Sequence, residues 1–365
     1  MKNIKSMVSI ALLSFMAVSL IACGGGGSDG GLGLTPAPAP PPPFSSTDIG
    51  GTWALVDGSI TGVTYGSVDI SGTGSVTGGT WTMIGGSTGT YTGGTVSVSG
   101  EGAISGSVIA SGPDTHTVQG GQMSLDKDLL VYAAVDTPGN AECGIAINAT
   151  GSYATTDLQG TWRWGTPLAY GTFVVDGSGN VTSGTVTHIG VESGTITGGT
   201  FTITAQGTIS GTFSTSEPVT YTLQSGRMNS AKNVAYLAIT PPSNGGGLIA
   251  VKMNGSFTPG TDIAGTYKFA SIVSNGVVAY GSIIIVSSST ITGGTSTEIG
   301  VGSGTFTGGT ISISTQGVLT GSVSTSTGDV HVIGGGQLNS SKTVAFAVDV
   351  DTSANTELSV FVKTP

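Results

Sequence analysis

The chain is short of almost everything that chemistry at a protein surface needs. In 365 residues it has two cysteines, three histidines and ten lysines and arginines. Charged residues make up 8% and aromatic residues 6%. Two cysteines cannot build a disulfide framework, and no Cys/His group has the spacing of a zinc site. With twenty acidic residues against so few basic ones, nucleic acid is excluded as a partner. No stretch carries a 3.6-residue apolar period, so there is no amphipathic helix to build with.

What the chain has is glycine, 64 of them, and alternating Thr, Val, Ser and Ile. A decapeptide opening at Gly89 (GTYTGGTVSV) returns 105 residues later at Gly194 (GTITGGTFTI) and 110 after that at Gly304 (GTFTGGTISI). Periods of that length are whole domains, not solenoid coils. Each copy opens alike, with Asp48 to Trp53, Asp157 to Trp162 and Asp262 to Tyr267. Each has a Tyr-Gly pair at its second strand: Tyr65-Gly66, Tyr170-Gly171 and Tyr280-Gly281. Each ends in a hairpin bearing Lys127, Lys232 or Lys342, then an apolar strand such as Leu129-Leu130-Val131-Tyr132. The domains expected are residues 47–150, 156–254 and 261–363, each folding alone.

Period-two alternation and turn signals every 8 to 12 residues make each copy all-β. In the second copy eight strands are expected near 160–165, 168–176, 181–189, 194–204, 207–215, 218–228, 233–240 and 247–253. Short connections make them an antiparallel meander. Three tandem eight-stranded meander barrels are the expectation, with β-sandwiches as the alternative. Gly106, Gly211 and Gly321 favour the barrel. Each interrupts the apolar face of the fifth strand, where glycine weakens a strand unless the chain must bend or something must approach. A neighbouring aromatic such as Trp53, Trp162 or Tyr267 is one candidate for that approach. A single transmembrane barrel of about 24 strands is disfavoured, because the expected outward faces are Ser, Thr and Gly rather than an apolar band.

The first 22 residues read as a signal segment. Lys2 and Lys5 precede an uncharged stretch, residues 7–22, that is too short for a membrane span. It ends in Leu20-Ile21-Ala22-Cys23, which resembles the lipobox of bacterial lipoproteins. That resemblance implies cleavage before Cys23 and acylation of its thiol and new amino group. Gly24 stands where an Asp would resemble the inner-membrane retention signal of enteric lipoproteins, which implies an outer-membrane or cell-surface location. Without Lys2 and Lys5 the chain from Cys23 has eight basic residues against twenty acidic ones, a net charge of −12. Residues 23–46 are Gly- and Pro-rich and read as a tether, whose Pro-rich residues 36–43 alone extend roughly 25 Å. The Asp-Leu-x-Gly-Thr-Trp opening, residues 157–162 in the second copy, resembles the first strand of lipocalins and avidins, the calycin barrels. It implies a barrel and no particular ligand.

The search for a site yields no catalytic residue, no metal set and no cofactor. Gly85-Gly86-Ser87-Thr88-Gly89 and Gly26-Gly27-Ser28-Asp29-Gly30 match the G-x-S-x-G pattern, but no α/β context supports a nucleophile elbow. His116 and His331 occupy one repeat position, held by Tyr221 in the second copy. Asp114 and Asp329 stand two residues earlier, so an Asp–His pair on one strand face is possible. The turn Asp176-Gly177-Ser178-Gly179-Asn180 is too short and acid-poor for an EF-hand loop. The recurring lysines read as solvated charges, with a covalent Lys–Asp or Lys–Asn cross-link as the sharper alternative. Trp81, Tyr91, Trp164 and Phe306 are candidates for carbohydrate stacking or core filling, and Trp164 shares a strand face with Trp162. Cys143 reads as a small buried apolar residue.

These readings make the protein a lipid-anchored, non-catalytic component of the cell envelope. Its expected role is adhesive, matrix-binding or spacing, with a polysaccharide or a surface protein as partner besides the membrane. The alternative is a carrier of small ligands. A filled barrel interior favours the first role and an open cavity the second.

Overall fold

The computed structural model describes residues 44–365 apart from 60, 61, 113, 138, 149, 192, 218 and 241–245. The signal segment, Cys23, the second G-x-S-x-G match and the tether up to residue 43 lie outside the described residues. The described chain forms three closed, eight-stranded antiparallel barrels in sequence order. In barrel 2 the strands are Gly160–Gly165, Ala169–Val175, Asn180–His188, Ser193–Ile203, Ile209–Thr215, Thr220–Met228, Val234–Thr240 and Gly246–Lys252. These agree with the expected strands to within two or three residues at each end. The first strand of every barrel pairs with both its second and its eighth, which closes the sheet and excludes a sandwich. A single 24-stranded barrel is likewise excluded.

Closure is produced by repeated local irregularities. A β-bulge falls on the fourth strand at Thr92, Thr197 and Thr307, and another on the sixth between Val118 and Gly120, Leu223 and Ser225, and Ile333 and Gly335. Bulges bend a strand and increase its twist, which a small barrel requires. The fifth-strand glycines have φ of +125° (Gly106), +144° (Gly211) and +141° (Gly321). A Cβ there would collide with the carbonyl oxygens of Thr95, Thr200 and Thr310 on the neighbouring strand. The glycines are therefore steric necessities, as expected. What approaches them is the backbone of the fourth strand, not an aromatic ring.

Trp53, Trp162 and Tyr267 instead plug one end of each barrel and are at most 2% exposed. The indole N–H of Trp53 donates to the Ile49 carbonyl and that of Trp162 to Leu158, both at 2.8 Å. The hairpin lysines sit beside this plug with left-handed backbones, φ 60°, 57° and 62°. Each reaches the acid of the opening motif: Lys127 to Asp48 at 2.9 Å, Lys232 to Asp157 at 2.8 Å and Lys342 to Asp262 at 2.9 Å. Those are ion-pair distances. The lysines tie the last hairpin of each barrel to its entry segment.

The outward faces divide in two. On the middle strands they are Ser and Thr, whose hydroxyls bond within the sheet, as Thr92, Thr197 and Thr307 do to the carbonyls of Ile109, Ser214 and Ser324. On the seventh, eighth and first strands the expectation of polar outward faces fails. Val131, Ile145, Tyr236, Ile249, Phe346 and Val360 point out of their own barrels and join one apolar cluster shared by all three. Cys143 lies in that cluster, 5% exposed. The contacts run in a circle. The first strand of barrel 1 packs on strands of barrel 2, that of barrel 2 on barrel 3, and that of barrel 3 on barrel 1. Head-to-tail contacts whose rotation closes make a ring.

The last hairpins repeat the circle in polar groups. Ser230 N donates to Asp128 at 2.9 Å, Asn233 donates to Ser340 and Ser341 at 3.1 and 3.2 Å, and Thr343 donates to Asp126 at 3.0 Å. The three barrels form one compact unit.

Gly211→Val tests the steric account of closure. The side chain meets a backbone carbonyl in a left-handed region closed to Val, so a loss of about 3 kcal/mol or more is expected. Melting temperature should fall by at least about 5 °C. Ser210→Val, on the exposed face one residue away, should change stability by less than about 0.5 kcal/mol. Thermal unfolding by circular dichroism reads both, and equal effects would contradict the account.

Candidate functional site

The end of each barrel opposite the tryptophan plug is built from the same strand positions, and the three copies have filled them differently. Strand register aligns His116, Tyr221 and His331 on the sixth strands. It aligns Ala134, Ile239 and Asp349 on the seventh, and their partners Glu142, Gly246 and Glu357 on the eighth. These positions face into the barrel: Cys143 and Leu358, next to the glutamates on the eighth strands, point outward into the shared core, and Ile239, opposite Gly246, joins the interior cluster of barrel 2.

In barrel 1 this end is full. His116 Nδ1 lies 2.7 Å from Glu142 Oε2, and the Tyr132 hydroxyl donates to the Asp57 carboxylate. Tyr91 meets the His116 ring edge-on at 6.4 Å. A void of only about 70 Å³ remains. Burial, with the charge of Glu142, pushes the Asp57 carboxyl up to about 7. For His116 burial alone would lower the pKa, but the hydrogen bond and charge of Glu142 outweigh it and hold the imidazole at about 9.

Barrel 3 has the same pairing in a roomier end. His331 Nδ1 lies 3.0 Å from Asp349 Oδ1 and 3.4 Å from Glu357 Oε2, beside a cavity of about 240 Å³. Ser359 donates to Glu357 at 3.2 Å. Burial and the Asp349 charge push Glu357 up to about 7. Burial opposes the charge on His331, but the Asp349 hydrogen bond and the Glu357 charge prevail and hold it at about 9. Ligand-type atoms of His331, Asp349 and Glu357 lie within 4.8 Å of one another, a grouping that sequence spacing does not disclose. At neutral pH the imidazolium balances one carboxylate charge of the group, so a cation would have to displace that proton. The arrangement is a buried ion pair.

Barrel 2 lacks all three charges. Tyr221, Ile239 and Gly246 replace the histidine and the acids, and this end opens into a cavity of about 460 Å³ that strands and turns of barrels 1 and 3 also line. Its inner wall is aromatic. Phe213 stacks on Tyr221 at 4.8 Å with 12° between planes, and Trp164 lies 6.2 Å from Phe213. The Trp164 ring is 3% exposed, and its indole N–H has no partner among the described residues. At the rim His188 Nε2 stands 3.5 Å from Glu217, and the cavity reaches Val63 of barrel 1 and Ile272 and Leu358 of barrel 3.

Several sequence expectations are corrected here. His116 and His331 pair with residues of the neighbouring seventh and eighth strands. Asp329 instead accepts from Thr327 and Thr352 at 3.0 Å each, and Asp114 makes no pair with His116. The interior face shared by adjacent strands brings these side chains together, as spacing along one strand does not. The carbohydrate-stacking candidates do not form an exposed row. Trp164 and Tyr91 are buried inside barrels, Phe306 lines the barrel 3 cavity, and Trp81 is half-buried. Trp162 and Trp164 do share the interior face of their strand. The Asp176 turn satisfies itself, its carboxylate accepting from Ser178 N, Asn180 N and the Asn180 amide at 2.8 to 2.9 Å. Ser87 lies in the hairpin between two strands, which is no nucleophile elbow. Among the described residues neither His116 nor His331 is hydrogen-bonded to a hydroxyl or thiol.

No family model matches the chain, and no curated protein does. Among solved structures it is similar to the isotype 1 transferrin binding protein B of serogroup B Neisseria meningitidis, with 8% identity, 83% of this chain covered and a TM-score of 0.28. The chain spans 66% of that protein's length. Transferrin binding protein B of Haemophilus parasuis Hp5 gives 10% identity over 86% of this chain and 75% of its own, with a TM-score of 0.26. A porin-like protein of Bacteroides uniformis gives 10% identity over 89% and 99%, with a TM-score of 0.14. TM-scores this far below one half carry no functional inference for this chain.

The His–carboxylate ends predict a direction of pH dependence. His116 and His331, raised from 6.5 to about 9, stabilise the fold fully below pH 6.5 and lose that contribution as pH rises through 9. Asp57 and Glu357, raised to about 7, bind protons in the fold that the unfolded chain has released, so their contribution also declines between pH 4 and 7. Melting temperature should fall by several degrees from pH 5 to 9, and His331→Gln should flatten the fall between 6.5 and 9. A melting temperature that rises over this range would contradict the assignment.

Proposed function

We propose that the protein is a lipid-anchored, non-catalytic binding protein of the cell envelope. Its three barrels act as one head, carried on the Gly/Pro tether of residues 23–46, and it takes a small ligand at the end of barrel 2. The observation that supports this reading is the difference among the three equivalent ends. Two are occupied by internal His–carboxylate pairs, and the third is stripped of charge and holds the largest cavity described. Concave, mostly apolar sites of 300–1,000 Å³ with a few polar groups are the usual form of a small-ligand site.

The adhesive or spacer reading draws its support from the Ser/Thr outer faces of the middle strands, which offer hydroxyls to a polysaccharide or a surface protein. Avidity from three separately moving modules requires linkers that let each reach its own site. A shared apolar core removes that freedom, so any such partner would meet a single surface. Catalysis is not proposed, because the buried histidines are committed to carboxylates and no nucleophile stands against them.

Mass spectrometry of the mature protein tests the anchor. The expected result is an amino terminus at Cys23 carrying acyl chains, with Cys23→Ser releasing the protein from the membrane fraction. An unmodified terminus at another residue, or unchanged membrane partition of the variant, would remove the anchored reading.

A further inference from the structure

We infer that the barrel 2 cavity selects an uncharged, ring-bearing small molecule, and that Gly246 is the residue that keeps its seat open. This rests on the reading of barrel 2 as a ligand site and adds its chemical class.

The eighth-strand position sets barrel 2 apart from the other two. Glu142 and Glu357 project inward from it and pair with histidine in barrels 1 and 3. Barrel 2 has Gly246 there. Unlike the fifth-strand glycines it is not required by its backbone. It has no left-handed φ, and a Cβ would make only an ordinary contact, 3.6 Å from Ile239 Cγ1. The space is available to a side chain and is left empty. The two partners have changed together with it. Tyr221 has replaced the histidine, and Ile239 stands where barrel 3 has Asp349.

Chemical selectivity follows from what lines the space. On the barrel 2 side the wall comprises Trp164, Phe213, Tyr221, Ile239 and Leu168, and the facing side adds uncharged groups of barrels 1 and 3 such as Val63, Ile272 and Asn275. The imidazole on the lining, His188, already has Glu217 as a partner 3.5 Å away at the rim. A ligand bearing a full charge would lose its water without gaining a counter-charge, at a cost of several kcal/mol. A flat uncharged ring meets aromatic faces in offset or edge-to-face geometry at no such cost.

Three probes of one size test the class on the full mature chain by isothermal titration calorimetry: 2-acetylnaphthalene, 2-naphthoate and 2-naphthylmethylammonium. The neutral ketone should bind saturably with one site per chain, and each charged analogue at least tenfold more weakly. Gly246→Glu, which restores the residue of the other two barrels, and Gly246→Leu, an uncharged plug, should each weaken ketone binding at least tenfold. Circular dichroism checks that both variants remain folded. If either charged probe matches the ketone, the class is wrong while barrel 2 stands as a ligand site. If ketone binding survives in folded Gly246→Leu, the seat is not at this end. If no probe binds the wild-type protein saturably, the small-ligand reading falls together with the class. Should the variants misfold, the ranking of the three probes on the wild type still decides the class.

Discussion

The fold depends on one packing interaction, the burial of outward-facing side chains from the seventh and eighth strands of each barrel, with Val56 and Ala270 of two first strands, against those of the other two. A lone small barrel needs one apolar face, the inner one. Here strands such as Leu129–Val135 and Val344–Val350 are buried on both faces, because the inner face fills the barrel and the outer face fills the ring. Fully burying a Val, Leu, Ile or Phe side chain contributes about 1.5–3 kcal/mol, and the shared cluster holds many of them. Opening the ring would expose that surface at every barrel. Polar bonds among the three hairpins at Asp126, Asp128, Ser230, Asn233 and Thr343 then set the rotation, since hydrogen bonds are directional and apolar packing is not.

That constraint leaves the barrel ends free to diverge. The ring ties down strands seven, eight and one, and the plugs and Lys–Asp pairs tie down the opposite end of each barrel. The remaining inward positions on strands six, seven and eight carry no closing function. Barrels 1 and 3 spend them on buried ion pairs, which add little net stability once desolvation is counted. Barrel 2 has an uncharged opening in their place. Three copies of one scaffold thus present one chemically distinct cavity.

Much of the fold was legible because barrel geometry is written locally. Alternation of period two located all eight strands of barrel 2, and Gly106, Gly211 and Gly321 marked positions where strand backbones leave no room for a Cβ. The ring was less legible, although its signal stood in plain view. Leu129-Leu130-Val131 and Val234-Ala235-Tyr236-Leu237 are continuous apolar runs, which mean burial on both faces, whereas the half-exposed strands alternate. Of the barrel ends only the shared position of His116, Tyr221 and His331 could be read, and not what those residues meet. His116 meets Glu142 at a separation of 26 residues and Asp57 meets Tyr132 at 75, pairings that only the barrel register brings about. Gly246 is informative only once the strand register aligns it with Glu142 and Glu357.

The account's central claim is that the three barrels are one cooperative head. Differential scanning calorimetry of residues 44–365 tests it most directly. Burial of every barrel against the other two predicts a single transition whose calorimetric and van't Hoff enthalpies agree. Three resolved transitions, or a calorimetric enthalpy about three times the van't Hoff value, would show barrels that unfold independently and would contradict the claim.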